Sequence, residues 1–233
     1  MTGIEVVIVF LTIGSGLIDR IFLRQAVVEE KLAGVSYQAD FTYLESDLRG
    51  KSSHKIWCRR RVIMSNYEEQ QDICISGSVD GRPAEGQELR QLCWNLQKTG
   101  LIARRSRLPF FIAARNEYEY DILGVEEVNG ESAWVIRFLP KRSDSQHLRG
   151  RGYVRVKGYD VVRLEFVPAQ LPFVVEKARM VLDYSPVDGF YLPCRFWLEM
   201  DLRLKVFKEL LHRRIEVEDV YYDYSLRLNR GGF

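Results

Sequence analysis

Apolar and polar residues alternate along 192–204. Leu192, Cys194, Phe196, Leu198, Met200, Leu202 and Leu204 share one parity. Pro193, Arg195, Glu199, Asp201 and Arg203 share the other, with Trp197 its single apolar member. Side chains of a strand point alternately to opposite faces, so the pattern predicts a long antiparallel strand with one apolar and one charged face. A sheet of such strands meets water on one side and a core, a helix or a ligand on the other.

The same reading extends along the chain. Residues 17–32 place Ile18, Ile21, Phe22, Gln25, Val28 and Leu32 on one helical stripe, with Ser15 as cap and Gly34 past the end. Tyr37, Ala39, Phe41 and Tyr43 alternate with Gln38, Asp40 and Thr42 in a first strand. Strands follow at 54–65, with Arg59, Arg60 and Arg61 at the centre, and at 73–79. Pro83 opens a second helix, 83–98, whose apolar stripe is Leu89, Leu92, Cys93 and Leu96, and Gly100 ends it. From Tyr118 onward every segment reads as strand. Residues 118–128 and 131–140 form a hairpin about Asn129-Gly130, because both central turn residues need positive φ. Trp134, Ile136 and Phe138 share a face of it. Strands 153–157 and 161–167 turn about Gly158, and Gly150-Arg151-Gly152 reads as a turn. Strand 174–184 leads through a turn into 192–204. Strand 212–228 closes the sheet, with Val220, Tyr222, Tyr224 and Leu226 in one parity. About ten strands in a meander, interrupted by two helices, predict a mainly β (α+β) fold. A sheet of that size is strongly curved, and helices can fill its concave side.

The chain's 233 residues suit one β-rich domain. Thirty-four basic against 32 acidic residues give no global attraction to nucleic acid. His54, His147 and His212 stand at no catalytic spacing, and no nucleophile-elbow, phosphate-loop or dinucleotide motif occurs. The expectation is a non-enzymatic protein without catalytic residues, cofactor or metal. Cys58, Cys74, Cys93 and Cys194 form no C-x-x-C pair. They read as buried thiols acting as small hydrophobes, or as two disulfides with three possible pairings. Residues 4–13 are apolar and too short to span a bilayer. Segment 1–16 reads as a weak or truncated signal, or as an extra buried strand or helix turn.

Two basic clusters stand out. Arg59, Arg60 and Arg61 lie within a strand and alternate faces, so they form no single patch. Arg104, Arg105 and Arg107 precede Leu108, Phe110 and Phe111. This loop either touches anionic lipid or a partner, or anchors its apolar part in the core.

The order of elements, the run Tyr120-Asp-Ile-Leu-Gly-Val-Glu-Glu-Val-Asn-Gly-Glu-Ser-Ala-Trp-Val-Ile-Arg-Phe-Leu-Pro-Lys141, the strand Val162-Arg-Leu-Glu165 and the turn Asp188-Gly-Phe-Tyr-Leu-Pro193 resemble the outer-membrane lipoprotein-sorting superfamily of LolA and LolB type. The resemblance covers roughly 17–228 and implies a single half-barrel domain, 17–233, an incomplete β-barrel whose concavity is lidded by helices. It implies a periplasmic or otherwise exported protein of the bacterial envelope that binds or carries a lipid, a lipoprotein acyl chain or another hydrophobic ligand. The alternative is an envelope interaction or sensor module with the same fold and a filled core. The superfamily's functional arginine falls on Arg59, Arg60 or Arg61. Parity and helical stripe together predict a ligand cavity lined by Trp134, Ile136, Phe138, Phe196, Leu198, Leu89, Leu92 and Leu96.

Overall fold

The computed structural model describes residues 3–47, 53–65, 69–99, 108–206 and 209–229. Arg104, Arg105, Arg107 and Gly100, and the side chains of 4–13 and of Leu204, lie outside what is described. Eleven strands form one antiparallel sheet: β1 (Leu32–Asp47), β2 (Ser53–Ser65), β3 (Glu69–Val79), β4 (Arg82–Pro83), β5 (Tyr118–Val128), β6 (Glu131–Pro140), β7 (Leu148–Arg155), β8 (Val161–Pro168), β9 (Val175–Val187), β10 (Phe190–Val206) and β11 (Glu209–Leu228). Their order is β4-β3-β2-β1-β11-β10-β9-β8-β7-β6-β5. Every pairing joins neighbours in sequence except β1 with β11, which brings the two ends of the meander together in mid-sheet. The free edges are β4 and β5. The chain between them carries helix α2 (Gly86–Thr99) and the short 3₁₀ turn Ile112–Glu117. The sheet is strongly curved and stays open, an incomplete barrel.

Helix α1 (Gly3–Lys31) runs without a break through Ser15, which is therefore no cap. It passes at Leu32 directly into β1, where Gly34 is a strand residue on which a Cβ would stand 2.9 Å from the Met64 carbonyl oxygen of β2. Among the described residues no helix is long and apolar enough to cross a membrane. Leu17, Ile21 and Phe22 of α1 are buried over the concave face, and Phe22 meets Tyr120 of β5 edge-on with centroids 5.7 Å apart.

The core below α1 is completed by segment 108–111. Phe110, 1% exposed, packs on Tyr120 and Phe138. Its ring fills the hollow over Gly152, where a Cβ would come within 2.3 Å of it. A Cβ on Gly150 would stand 2.0 Å from the Glu165 carbonyl oxygen. Gly150 and Gly152 thus belong to β7 and give close approach, where the sequence pattern predicts a turn. Phe110 is the core anchor of its loop and not a membrane contact, and Phe111 is half-buried beside it.

Three further expectations are corrected. Pro83 belongs to β4, and α2 starts at Gly86. In β11, Asp223 adopts φ 53° and sits in a bulge between the pairs Ser36–Ser225 and Gln38–Tyr222. A bulge shifts the alternation by one residue. Tyr221 therefore points inward, while Tyr222 reaches Asp40 on the outer face. Cys194 falls at the irregularity between Pro193 and Arg195 and is half-buried outside the core cluster.

Candidate functional site

The two halves of the concave face differ. Over β6 to β9, α1 and Phe110 fill the space except for a crevice of about 40 Å³ between α1 and segment 108–111, and Ile136, Phe138 and Val154 are wholly buried. Over β1, β2, β3, β10 and β11 a cavity of about 300 Å³ remains. Its lining is Tyr37, Phe41 and Tyr43 of β1, Phe196, Leu198 and Met200 of β10, Ile215, Val217, Asp219 and Tyr221 of β11, Arg60, Gln70 and Asp72, with Leu96 of α2 at one side. Helix α2 lies on β3, where Gly77 gives it room: a Cβ there would stand 2.9 Å from Leu92 and 3.1 Å from Leu89. The volume falls at the lower end of small-molecule sites, and the mix of aromatic and aliphatic walls with few polar groups is typical of them.

The polar groups are concentrated at one place. Arg60 of β2 reaches across β1 to Asp219 of β11, Nη2 to Oδ2 2.5 Å, and its Nε lies 3.9 Å from Asp72. Register explains how it can. Ala39 of β1 stands between Arg60 on one side and Tyr221 on the other, and its methyl leaves the guanidinium a path. Arg60 and Asp219 are each 6% exposed. Among the described residues, the buried Nε and Nη1 of Arg60 and Oδ1 of Asp219 have no hydrogen-bond partner. An arginine held by one bond on one nitrogen keeps donors for an oxygen acceptor, and buried donors without partners are costly. The other two arginines face elsewhere: Arg59 donates to both oxygens of Asp40 at 2.8 Å on the outer face, and Arg61 is exposed.

Burial pushes the Asp219 carboxyl up to about 6, against the opposing pull of Arg60. On the outer face, Arg59 beside Asp40 and Arg214 beside Asp201 hold those carboxyls below the usual range. The signs are opposite. For Asp219 the native state binds more protons than the unfolded state between about pH 4 and 6, so its contribution is complete at low pH and is lost as pH rises through 6. For Asp40 and Asp201 the contribution is present above about pH 4 and is lost as pH falls. Urea unfolding followed from pH 3 to 8 is expected to show a decline between pH 4 and 6 that Asp219→Asn reduces by an amount on the order of 2 kcal/mol, with the acid limb unchanged. Parallel curves for the two proteins between pH 4 and 7 would mean that Asp219 is ionised throughout.

Of the residues expected to line the cavity, Phe196, Leu198 and Leu96 do so. Leu89 and Leu92 pack α2 onto Gly77. Trp134, Ile136 and Phe138 lie in the filled half, away from the cavity. The sequence left Arg60 undecided among three arginines and did not point to Asp72 or Tyr221. One signal was available, since Asp219 breaks the apolar parity shared by Ile215, Val217 and Tyr221. Two cysteines also differ from the buried-thiol expectation: Cys74 of β3 and Cys93 of α2 form a disulfide with Cα atoms 5.7 Å apart, while Cys58 and Cys194 are free.

No family model matches the chain, and no curated protein matches it. Among solved structures, it is similar to an outer membrane lipoprotein-sorting protein domain from Vibrio parahaemolyticus, at 12% identity over 93% of each chain with a TM-score of 0.45. It is similar to a LolA superfamily protein from Nitrosomonas europaea, at 14% identity over 91% of this chain and 93% of that one, TM-score 0.36. It is also similar to the Mycobacterium tuberculosis lipoprotein LppX, at 10% identity over 94% of this chain and 98% of that one, TM-score 0.25.

Proposed function

We propose that the chain is a non-enzymatic binding or carrier protein that holds an apolar chain, from a lipid or a lipoprotein, in the cavity between α2 and β10–β11. The observation that carries this reading is the contrast between the filled half of the concave face and the cavity of about 300 Å³ in the other, walled by Phe41, Phe196, Leu198, Met200 and Val217. Arg60 is the residue on the cavity side suited to the superfamily's functional arginine, with two buried donors that lack a partner among the described residues and suit an oxygen-bearing ligand end. The Cys74–Cys93 disulfide supports an exported location, because disulfides persist in oxidising compartments.

Organic extraction of the purified protein followed by lipid mass spectrometry is expected to release close to one acyl-bearing molecule per chain. The interaction-module reading draws on the tightly packed half around Phe110 and Phe138. It gains if extracts are free of lipid and added fatty acid does not bind.

A further inference from the structure

Three sulfur atoms lie in sequence between the sheet and α2. Cys74 and Cys93 are bonded, and the free thiol of Cys58 on β2 places its Sγ 3.2 Å from the Cys74 Sγ. Cys58 is 0% exposed. A bulge between Arg59 and Arg60 brings the two strand cysteines together: Arg60 pairs with Cys74, and Cys58 with Gly77, so the two side chains converge diagonally on the concave face. Closing a Cys58–Cys74 bond needs an approach of only about 1.1 Å, to the ordinary length of about 2.05 Å.

We propose that Cys58, Cys74 and Cys93 form an internal thiol–disulfide exchange site that releases α2 from the sheet. In a transient local opening that admits water, the Cys58 thiol gives its proton to solvent base. The thiolate then attacks the Cys74 sulfur, the Cys58–Cys74 bond forms as the Cys74–Cys93 bond breaks, and Cys93 leaves as a thiolate that takes up a proton. One disulfide is exchanged for another, so no external oxidant or reductant enters. The Cys93 sulfur lies 3.5 Å from the Asp72 carbonyl oxygen, an acceptor for the thiol proton it then carries.

Among the described residues this disulfide is the only covalent side-chain link between α2 and the sheet. After exchange, α2 is held by the seating of Leu89 and Leu92 on Gly77, and Leu96, which lines the cavity, moves with the helix. The exchange itself does not depend on the lipid-carrier reading, but its role as a cavity gate rests on that reading.

The surroundings set the pH range. Burial pushes the Cys58 thiol up to about 11, Arg60 opposes this, and Asp219, Asp72 and Asp40 add to it. On the α2 side, Arg90 lines the crevice beside Cys74 and Cys93. The nucleophile is the thiolate, so exchange should quicken about tenfold per pH unit below 11.

The test is disulfide mapping of the folded, unreduced protein after incubation between pH 6.5 and 9.5, with acid quench and N-ethylmaleimide labelling. The expected result is a Cys58–Cys74 linked peptide together with labelled Cys93, both increasing with pH. Cys58→Ala should keep Cys74–Cys93 and lose Cys93 labelling. Cys93→Ser, which holds Cys58 and Cys74 as thiols, should form Cys58–Cys74 when glutathione disulfide is added as the oxidant, which decides the matter even if Cys58→Ala folds poorly. Hydrogen exchange over residues 86–96 should be at least tenfold faster in Cys93→Ser than in wild type, with β1 and β11 unchanged. The proposal is overturned if Cys74–Cys93 is the sole isomer at every pH, if Cys93 is labelled equally in Cys58→Ala, or if Cys58 and Cys74 both stay labelled in Cys93→Ser after treatment with glutathione disulfide. Fatty-acid binding is measured separately: its absence with exchange intact overturns the carrier reading and leaves the exchange site standing.

Discussion

Replacing Asp219 with alanine is expected to lower the unfolding free energy by about 3–5 kcal/mol, the range for removing one partner of a buried ion pair. The guanidinium of Arg60 lies 2.5 Å from Asp219, with both side chains 8% exposed. Alanine removes the carboxyl oxygen that accepts from Arg60 in either protonation state, and Arg60 keeps its charge, since guanidinium does not deprotonate in proteins. Asp72, 3.9 Å from Nε, is the remaining counter-charge and is too far away for a hydrogen bond. In thermal unfolding the loss corresponds to about 10 °C for a chain of this size. The double change Arg60→Met with Asp219→Leu should recover most of it, because well-packed apolar replacements of buried pairs are often neutral. A loss below about 1 kcal/mol for Asp219→Ala would mean that the cavity solvates Arg60.

The second large effect separates the filled half from the hollow one. Phe110→Ala should cost about 3–5 kcal/mol, since the ring is enclosed by Tyr120, Phe138 and the backbone at Gly152 and its removal leaves an enclosed void. Phe196→Ala should cost about 1–2 kcal/mol, because the ring already borders open space and its loss enlarges a cavity without creating one. Urea unfolding of the two variants gives the comparison directly. Equal costs would place both rings in a continuous core.

Local patterns carried much of the fold. The alternation of Phe196, Leu198 and Met200 fixes the inner face of β10, and Asn129-Gly130 turns with φ of 54° and 80° as its sequence demands. The helical stripe Leu89, Leu92, Leu96 sets the buried side of α2. What could not be read locally depends on pairing. Three consecutive arginines alternate faces whatever their strand does, and only the β1–β2 register, with Ala39 opposite, decides that Arg60 is the inward one. Parity beyond Asp223 depends on a bulge in which a non-glycine residue takes positive φ. The location of the cavity depends on where α1 and Phe110 land, over Trp134, Ile136 and Phe138, and those residues stand about 30 to 120 positions apart, for which periodicity carries no signal.

The central claim is that the concave face beside α2 is hollow and takes an apolar chain. Titration of the folded protein with a fluorescent fatty acid, alongside Val217→Trp, tests it most directly. Val217 lines the cavity opposite Leu198, so an indole at that position occupies the space without touching the core under α1. The expected result is one-to-one saturable binding by the wild type and at least a tenfold loss of affinity in Val217→Trp at unchanged thermal stability. Binding of equal strength in a folded Val217→Trp protein, or none in the wild type, would contradict it.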